Sequence, residues 1–365
     1  MSERFDLAII GAGMAGASLA AELVALGAGR VGLLEGESQP GYHATGRSAA
    51  FWQETYGGPG VQPLTTASGP VLEQLGFLHP RGGLHLARAQ DRAELDAFVA
   101  EFSALGVAMT PLDRAEIAAL VPGLRPAWVA GAMEHTCRDI DVAGLHQHYL
   151  RLARQGGADV LCNARVAAAA RAGGLWRLTL ADGRIIEAEA VVNAAGAWAD
   201  PVAELFGAAP LGITPLRRTM AQIRVGADVS SSLPLVMDMG GTFYFKPEAG
   251  RIWLTPHDET PMPPCDVAPE EIDIAIAIDR FEQVVDWPVQ RLEHKWAGLR
   301  SFAPDRLPVY GWDARVPGLF WCAGQGGFGI QTAPAAAAMA ARLVLGVSGG
   351  EIDPGAFAPG RFLKN

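Results

Sequence analysis

Residues 5–36 read FDLAIIGAGMAGASLAAELVALGAGRVGLLEG, and this stretch decides the fold class. A short apolar strand leads into Gly11, Gly13 and Gly16, and a helix and a second apolar strand follow. The first glycine makes a tight turn, the second lets the backbone approach a pyrophosphate, and the third lets helix and strand touch. Glu35 ends the second strand, where an acidic side chain accepts hydrogen bonds from a ribose. The stretch therefore predicts a dinucleotide-binding β-α-β unit.

Two later segments indicate which dinucleotide this unit binds. Residues 37–57 (ESQPGYHATGRSAAFWQETYG) form a Gly- and Ser-rich loop where an NAD-binding fold would continue with another β-α-β unit. Residues 158–193 predict a strand and then a three-stranded meander, with turns at 173–174 and 181–183. Such a loop can run along a pyrophosphate and a ribityl chain, and a meander at this point is typical of flavoproteins. Both segments favour FAD over NAD.

The composition excludes other classes of protein. The chain has 365 residues, of which 50% are hydrophobic and 19% charged, so it can form one large domain or two interlocked ones and is not disordered. The net charge of −10 and the scattered basic residues argue against nucleic-acid binding. The four cysteines have no metal-ligand spacing, and we therefore predict reduced thiols and no metal site.

Two apolar stretches resemble targeting or membrane segments. Residues 7–27 are preceded by Asp6 and interrupted by Glu22, and residues 333–347 contain Arg342 and are too short for a span. The sequence therefore predicts a cytoplasmic protein with no integral membrane segment.

Four motifs together resemble one family. GAGMAGAS, YHATGRSAA, VVNAAGAW and WCAGQGGFGIQTAP are similar to the D-amino acid oxidase superfamily of FAD enzymes, and most of all to bacterial D-arginine and related D-amino acid dehydrogenases. HTCRDIDVAGLHQHYL, FYFKPEAG and WAGLRSF stand in the same order, so the resemblance covers nearly the whole chain. These motifs are specific for the family and unspecific for the substrate.

The resemblance implies an α/β fold with an α+β second domain. Residues 1–79, 139–213 and 297–365 are expected to form a Rossmann-like FAD-binding domain with a meander insertion. Residues 80–138 and 214–296 are expected to form a substrate domain on a mixed or antiparallel sheet.

The resemblance also implies where FAD lies. The C-terminal glycine stretch precedes a helix over 333–345, whose N-terminus would stabilise negative charge near flavin N1 and O2. The implied cofactor-binding residues are Gly11, Gly13, Met14, Ala15, Gly16, Glu35, Gly36, Ala44, Thr45, Gly46, Arg47, Ser48, Ala49, Ala50, Val166, Ala195, Gly196, Gly324, Gly326, Gly327, Phe328, Gly329, Ile330 and Gln331.

An arginine on an apolar strip indicates an anionic ligand. Arg300 lies in WAGLRSFAPDRLPVYG (296–311), where an unpaired guanidinium is costly to desolvate. A guanidinium fixes both the angle and the distance of a carboxylate that it holds bidentately. An ion pair with Asp305 on a surface turn is the alternative interpretation of Arg300.

The resemblance implies further residues around an amino acid substrate. Arg300 matches the carboxylate-binding arginine of the family and Arg218 matches a second one, although Arg217 could be the ligand instead. Tyr244 and Tyr56 match hydroxyls around the substrate. The histidines at 79, 85, 257 and 294 are interpreted as solvated or hydrogen-bonded.

Two departures from the family pattern predict the substrate class. Gly83 stands where the arginine-specific relatives carry a glutamate for the cationic side chain, and Phe51 replaces a histidine beside the flavin. The pocket loses an anion and gains an apolar wall, so cationic substrates are expected to react poorly.

The expected reaction is the FAD-dependent oxidative deamination of neutral D-amino acids. A hydride passes from Cα to flavin N5, and the imino acid hydrolyses to a 2-oxo acid and ammonia. The electron acceptor is a quinone, another carrier or O₂. Oxidation of secondary or cyclic amino acids, such as glycine derivatives, sarcosine or D-proline, is the alternative. A flavin-binding scaffold without turnover is disfavoured because it has no reason to hold a carboxylate over the flavin.

Overall fold

The computed structural model describes residues 3–362. Its strands are β1 (Glu3–Ile10), β2 (Val31–Leu34), β3 (Phe51–Trp52), β4 (Leu78–Pro80), β5 (Gly83–Arg88), β6 (Met109–Leu112), β7 (Trp128–Glu134), β8 (Arg138–Ile140), β9 (Asp159–Leu161), β10 (Val166–Ala172), β11 (Leu175–Leu180), β12 (Ile185–Asn193), β13 (Thr214–Val225), β14 (Leu235–Asp238), β15 (Tyr244–Glu248), β16 (Arg251–Thr255), β17 (Thr260–Pro261), β18 (Val289–Phe302), β19 (Val309–Trp312), β20 (Leu319–Ala323) and β21 (Gln325–Gly326). Its α-helices are α1 (Met14–Ala25), α2 (Gln62–Gln74), α3 (Arg92–Ala104), α4 (Arg114–Leu120), α5 (Val142–Gln155), α6 (Ala199–Leu205), α7 (Glu271–Glu282) and α8 (Ala333–Leu345).

The first sheet carries the nucleotide-binding unit. Its strands run in the order β10-β11-β12-β1-β2-β9, and β12 also pairs with β20. The pairs β1–β12, β1–β2, β2–β9 and β12–β20 are parallel, whereas β10, β11 and β12 form the predicted antiparallel meander. Apolar residues of α1, α5 and α8 form one core with this sheet, and α6 packs into a second core. The predicted α/β class is confirmed.

The second sheet is larger and mixed. Its order is β21-β18-β13-β16-β15-β14-β5-β7-β6, with β17 on β13, and only the β14–β5 pair is parallel among its ladders. β15 and β16 form a hairpin, and both Ala249 and Gly250 adopt positive φ in its turn. A third sheet joins β3, β8 and β4.

The two faces of the second sheet have different roles. One face packs apolar side chains such as Phe245, Leu254 and Ile223 against Ile274 and Phe281 of α7. Because side chains alternate along each strand, the residues between these point to the other face. That other face carries the candidate substrate residues described below.

The division of the chain into two interleaved domains stays a proposal. Its last boundary, between residues 296 and 297, falls inside the long strand β18, which pairs along its length with β13. Within residues 3–362, no helix has the length and apolarity that crossing a membrane requires.

Candidate active site

The glycine turn after β1 has the geometry that its sequence predicts. Gly11 has φ +102°, and a Cβ there would overlap the carbonyl oxygen of Ala194. A Cβ on Gly16 would overlap the carbonyl oxygen of Gly11, so this helix turn can approach the loop only with glycine. Helix α1 begins at Met14, whose N–H donates to Thr45 Oγ1 at 2.9 Å. The turn therefore places the N-terminus of α1 against the 44–47 loop.

A cavity of about 420 Å³ begins at this turn. It continues past the end of β2, the 41–47 loop, the segment after β12 and the glycines before α8. Of the predicted cofactor-binding residues, the following line it: Gly11, Gly13, Met14, Ala15, Glu35, Gly36, Ala44, Thr45, Arg47, Val166, Ala195, Gly196, Gly326, Gly327, Gly329 and Ile330.

The other predicted cofactor residues lie outside this lining. Gly46, Ser48 and Ala50 line a second cavity, of about 570 Å³, on the other side of the loop. Phe328 packs in an apolar cluster, and the Gln331 amide holds the backbone of Gln53 through its nitrogen and oxygen atoms. The remaining members of this group are Gly16, Ala49 and Gly324.

Several residues that line the cavity are absent from the predicted set. Cys265 and Val267 reach the cavity from the connection between β17 and α7, far from any glycine motif. Trp198 is the last residue of VVNAAGAW, and its ring packs at a tilt against that of His43 with ring centroids 4.7 Å apart. Its motif could have identified Trp198, whereas nothing local indicates the other two.

Glu35 lines the cavity just after β2, where a ribose is expected. It is 9% exposed, and its two oxygens accept hydrogen bonds from the backbone N–H groups of Ala12, at 3.1 Å, and Glu37, at 3.0 Å. A carboxylate oxygen accepts more than one hydrogen bond, so both retain capacity for ribose hydroxyls. The glycine cradle, the helix N-terminus and this carboxylate fit the adenosine diphosphate part of FAD.

The register between β13 and β18 brings two arginines to one face. Leu216 lies opposite Arg300, and Arg218 lies opposite Gly298. Residues opposite each other, and residues two apart on a strand, share a face, so Arg218 and Arg300 are diagonal neighbours. Arg217 points to the other face.

The two adjacent arginines differ in their partners. Arg217 is surrounded by three carboxylates: Asp258, Glu270 and Asp273, the last at 2.8 Å. Arg218 is 1% exposed and donates from Nε to the Asp258 carbonyl, at 2.9 Å, and from Nη2 to Glu259, at 3.2 Å. The buried Arg218 Nη1 has no hydrogen-bond partner within residues 3–362. Unsatisfied buried guanidinium N–H groups indicate a site for an anion.

Arg300 is also buried with an unsatisfied guanidinium N–H among the described residues. It is 7% exposed and borders the cofactor cavity, and its buried Nε has no partner in the part of the chain that the structure describes. Asp305, the alternative partner, instead forms an ion pair with Arg361 at 2.6 Å. The surface ion pair considered for Arg300 is therefore absent among the described residues.

Three aromatic residues pack together beside the arginines. The ring of Phe51 lies 5.3 Å from that of Tyr56 and 5.5 Å from that of Tyr244, measured between centroids. Burial raises the pKa of Tyr244, and Arg218 and Arg300 only partly oppose this, so its hydroxyl stays protonated and can donate to an anion. A Cβ on Gly327 would overlap the Tyr56 hydroxyl, which therefore lies directly against the glycine stretch before α8.

Gly83 lies on the same face of the second sheet as the arginines, but it does not border the cofactor cavity. It begins β5 and lies opposite Glu134 of β7. A Cβ there would lie 3.2 Å from Gln53 Nε2 and 3.3 Å from the Cβ of Cys137. The space beside Gly83 is thus already filled by Gln53.

His257 completes the surroundings of the arginines. It adopts φ 54°, its Nδ1 contacts the Gly241 carbonyl, and its ring lies 5.7 Å from that of Tyr244. Burial and then the charge of Arg218 lower the pKa of His257 to about 4, so it is neutral at pH 7. The expectation of a hydrogen-bonded histidine agrees with this geometry.

Comparisons with known proteins agree with this fold. A model of the FAD-dependent oxidoreductase (DAO) family matches residues 6–343. The HcnC subunit of hydrogen cyanide synthase from Pseudomonas aeruginosa is 27% identical over 260 residues, 70% of this chain and 60% of HcnC. D-amino acid dehydrogenase 3 of Mesorhizobium japonicum is 38% identical over 80 residues, 20% of this chain and 19% of that protein. Glycine oxidase from Geobacillus kaustophilus superimposes with a TM-score of 0.86 at 23% identity, over 100% of both chains.

The parallel sheet with its glycine turn and meander defines a flavin-dependent oxidoreductase fold. The chain belongs to the FAD-dependent oxidoreductase family, and FAD is the cofactor of that family. The chain spans 60% of the length of HcnC and 19% of that of the dehydrogenase. The likeness to glycine oxidase, at 23% identity, concerns the fold alone.

The placement of the ribose leads to a first prediction. Glu35→Ala should weaken FAD binding by roughly 1.5–3 kcal/mol, or about 10- to 150-fold in Kd, because charge-assisted hydrogen bonds are lost. Fluorescence titration of the apoprotein with FAD measures this Kd. Glu189→Ala removes an exposed carboxylate that pairs with Arg4, and it should leave the Kd unchanged. Equal Kd values for Glu35→Ala and the wild type would contradict the placement.

Proposed function

We propose that this protein catalyses the FAD-dependent oxidative deamination of neutral D-amino acids to imino acids, which hydrolyse to 2-oxo acids and ammonia. The observation that carries the proposal is the pair Arg218 and Arg300. Both are buried on one face of the second sheet with a guanidinium N–H unsatisfied among the described residues, and Arg300 borders the cofactor cavity. An amino acid carboxylate has the charge and the geometry that such a pair binds.

The proposed site positions the substrate through its carboxylate. Arg218 and Arg300 bind the two oxygens, and the hydroxyls of Tyr56 and Tyr244 donate further hydrogen bonds. A substrate whose carboxylate is bound in this way can direct its Cα hydrogen toward the glycine stretch at Gly327. When bound, FAD supplies the hydride acceptor. Holding Cα–H in this orientation converts a bimolecular encounter into a positioned, effectively unimolecular one.

The amine must lose its proton before the hydride leaves. His257 is neutral and Glu259 is engaged with Arg218 and Arg306, so neither adds a net negative charge that would retain an ammonium group. A water molecule that reaches the amine can carry this proton to bulk solvent. The site therefore needs no dedicated strong base.

The apolar residues next to the arginines favour a substrate with a neutral side chain. Phe51, Met237, Trp253 and Trp296 pack around a core that includes Tyr244. Each methylene that such a pocket removes from water contributes about 0.8 kcal/mol to binding. The partial match to a D-amino acid dehydrogenase is in keeping with this substrate class.

Anaerobic titration tests the proposed function. We expect D-norleucine and D-methionine to bleach the flavin absorbance of the purified holoprotein, while their L-enantiomers leave it oxidised, since two arginines and one flavin face allow a single orientation of Cα–H. Bleaching by sarcosine or D-proline instead would establish the secondary-amine alternative. A flavin that stays oxidised with every amino acid in the panel would refute the proposal.

A further inference from the structure

The face of the second sheet that carries the arginines also carries a buried acid at its far end. Cross-strand pairs join Met237 to Tyr244 and Gly83 to Glu134, and these residues share the face with Arg218 and Arg300. The side chain of Glu134 is 0% exposed. A carboxylate thus lies on the same surface as the proposed substrate site.

The carboxylate of Glu134 is saturated by hydrogen bonds. Oε1 accepts from the backbone N–H groups of Glu54, at 2.8 Å, and Thr55, at 3.4 Å. Oε2 accepts from Thr55 Oγ1 at 2.6 Å and from Gln53 Nε2 at 3.0 Å, with His85 Nε2 at 3.4 Å. Burial alone would raise the pKa of Glu134, but the hydrogen bond and charge of His85, together with the side-chain hydrogen bonds from Thr55 and Gln53, outweigh it and lower the pKa, so the group is ionised.

Gln53 stands between this anion and the apolar pocket. Its Nε2 touches Glu134 on one side and Met237 Sδ, at 3.4 Å, on the other, and Met237 packs with Phe51 and Tyr244. The Gln53 backbone is fixed by the Gln331 amide, so the side chain is held in place. Gln53 is therefore a donor to Glu134 that also contacts a residue of the pocket wall.

We propose that Gln53 is a specificity-determining residue, which covers the Glu134 carboxylate and thereby excludes cationic substrate side chains. The inference rests on the proposed function and concerns its selectivity between neutral and cationic substrate side chains. Shortening Gln53 frees one lone pair of Glu134 and opens the space beside Gly83. An ammonium group at the end of a substrate side chain can then occupy that space and pair with the carboxylate.

The test compares two side chains of nearly equal size, those of D-ornithine and D-norleucine. We expect the ratio of their kcat/KM values (ornithine over norleucine) to rise at least about 10-fold in Gln53→Ala, because a charge-assisted hydrogen bond becomes available to the cation alone. A merely loosened pocket would change both values together and leave the ratio unchanged. Gln53→Met fills the same space with an apolar chain and should not raise the ratio.

A second variant and a binding measurement cover the case in which Gln53→Ala loses FAD or activity. If Gln53→Ala does not retain FAD, Gln53→Asn, which is one methylene shorter than the wild-type side chain, should raise the ratio in the same direction. Calorimetric titration with 5-aminopentanoate and hexanoate measures the same selectivity without turnover, so it distinguishes a failed specificity claim from a failed reaction. An unchanged ratio in a folded, FAD-loaded Gln53→Ala, or an equal rise in Gln53→Met, would overturn the proposal.

Discussion

Replacing Arg300 with alanine should lower kcat/KM for a neutral D-amino acid by on the order of 10²–10⁴. The buried Nε of its guanidinium has no hydrogen-bond partner among residues 3–362, so a substrate carboxylate can fill that place, and the loss removes both charge pairing and orientation. Arg300→Lys should recover only part of the activity, because an ammonium group cannot reproduce the planar fork. Steady-state kinetics with an artificial electron acceptor measures the effect.

The controls separate catalysis from folding. Arg291→Ala removes an arginine of the same strand whose side chain is 71% exposed, and it should leave kcat/KM unchanged. FAD content and the melting temperature of Arg300→Ala should match those of the wild type, because the buried Nε of Arg300 has no hydrogen-bond partner to lose among residues 3–362. If Arg300→Ala has wild-type kinetics, Arg300 does not hold the carboxylate.

Neutral D-amino acids should exceed D-arginine and D-lysine in kcat/KM by at least about 10². A methylene in the pocket contributes about 0.8 kcal/mol, whereas a buried cation without a partner costs several kcal/mol, so the second effect is the larger. Of the nearby acids, Glu134 is saturated by Gln53 and Thr55, and Glu259 is engaged with two arginines.

A substrate panel at fixed pH and acceptor concentration measures this preference. D-norleucine and D-ornithine form the matched pair, since their side chains differ mainly in the terminal ammonium group. A wild-type preference for D-arginine or D-lysine would mean that an acidic group accepts the cation in the unmodified protein. Gly83→Glu is a poor route to that preference, because its side chain would meet Gln53 and place a second carboxylate beside Glu134.

The cofactor half of the site could be predicted from the sequence because its determinants are local. A glycine that must adopt φ +102°, or touch a neighbouring carbonyl, leaves a signature within a few residues, and Glu35 follows at a fixed distance along the same unit. The meander could be predicted from the alternation of apolar and polar residues along its strands and from its glycine turns. Gln331 is predicted beside FAD through its motif, and this stays a prediction; the structure shows its amide hydrogen-bonded to the Gln53 backbone.

The substrate half depends on contacts between distant segments. The sequence left Arg217 and Arg218 as alternatives, because only the register of β13 on β18 and three carboxylates remote in sequence distinguish them. Glu134 lies 81 positions from Gln53 in the chain, and no local pattern relates them. Strand register and side-chain pairing across a sheet are properties of the folded chain.

The central claim is that Arg218 and Arg300 together hold a substrate carboxylate beside the flavin, and a crystal structure of the holoprotein with hexanoate tests it most directly. We expect the hexanoate carboxylate within hydrogen-bonding distance of Arg218 Nη1 and the Arg300 guanidinium, with its chain against Phe51 and Met237. A carboxylate bound elsewhere, with Arg300 paired to an acidic residue of the protein itself, would contradict it.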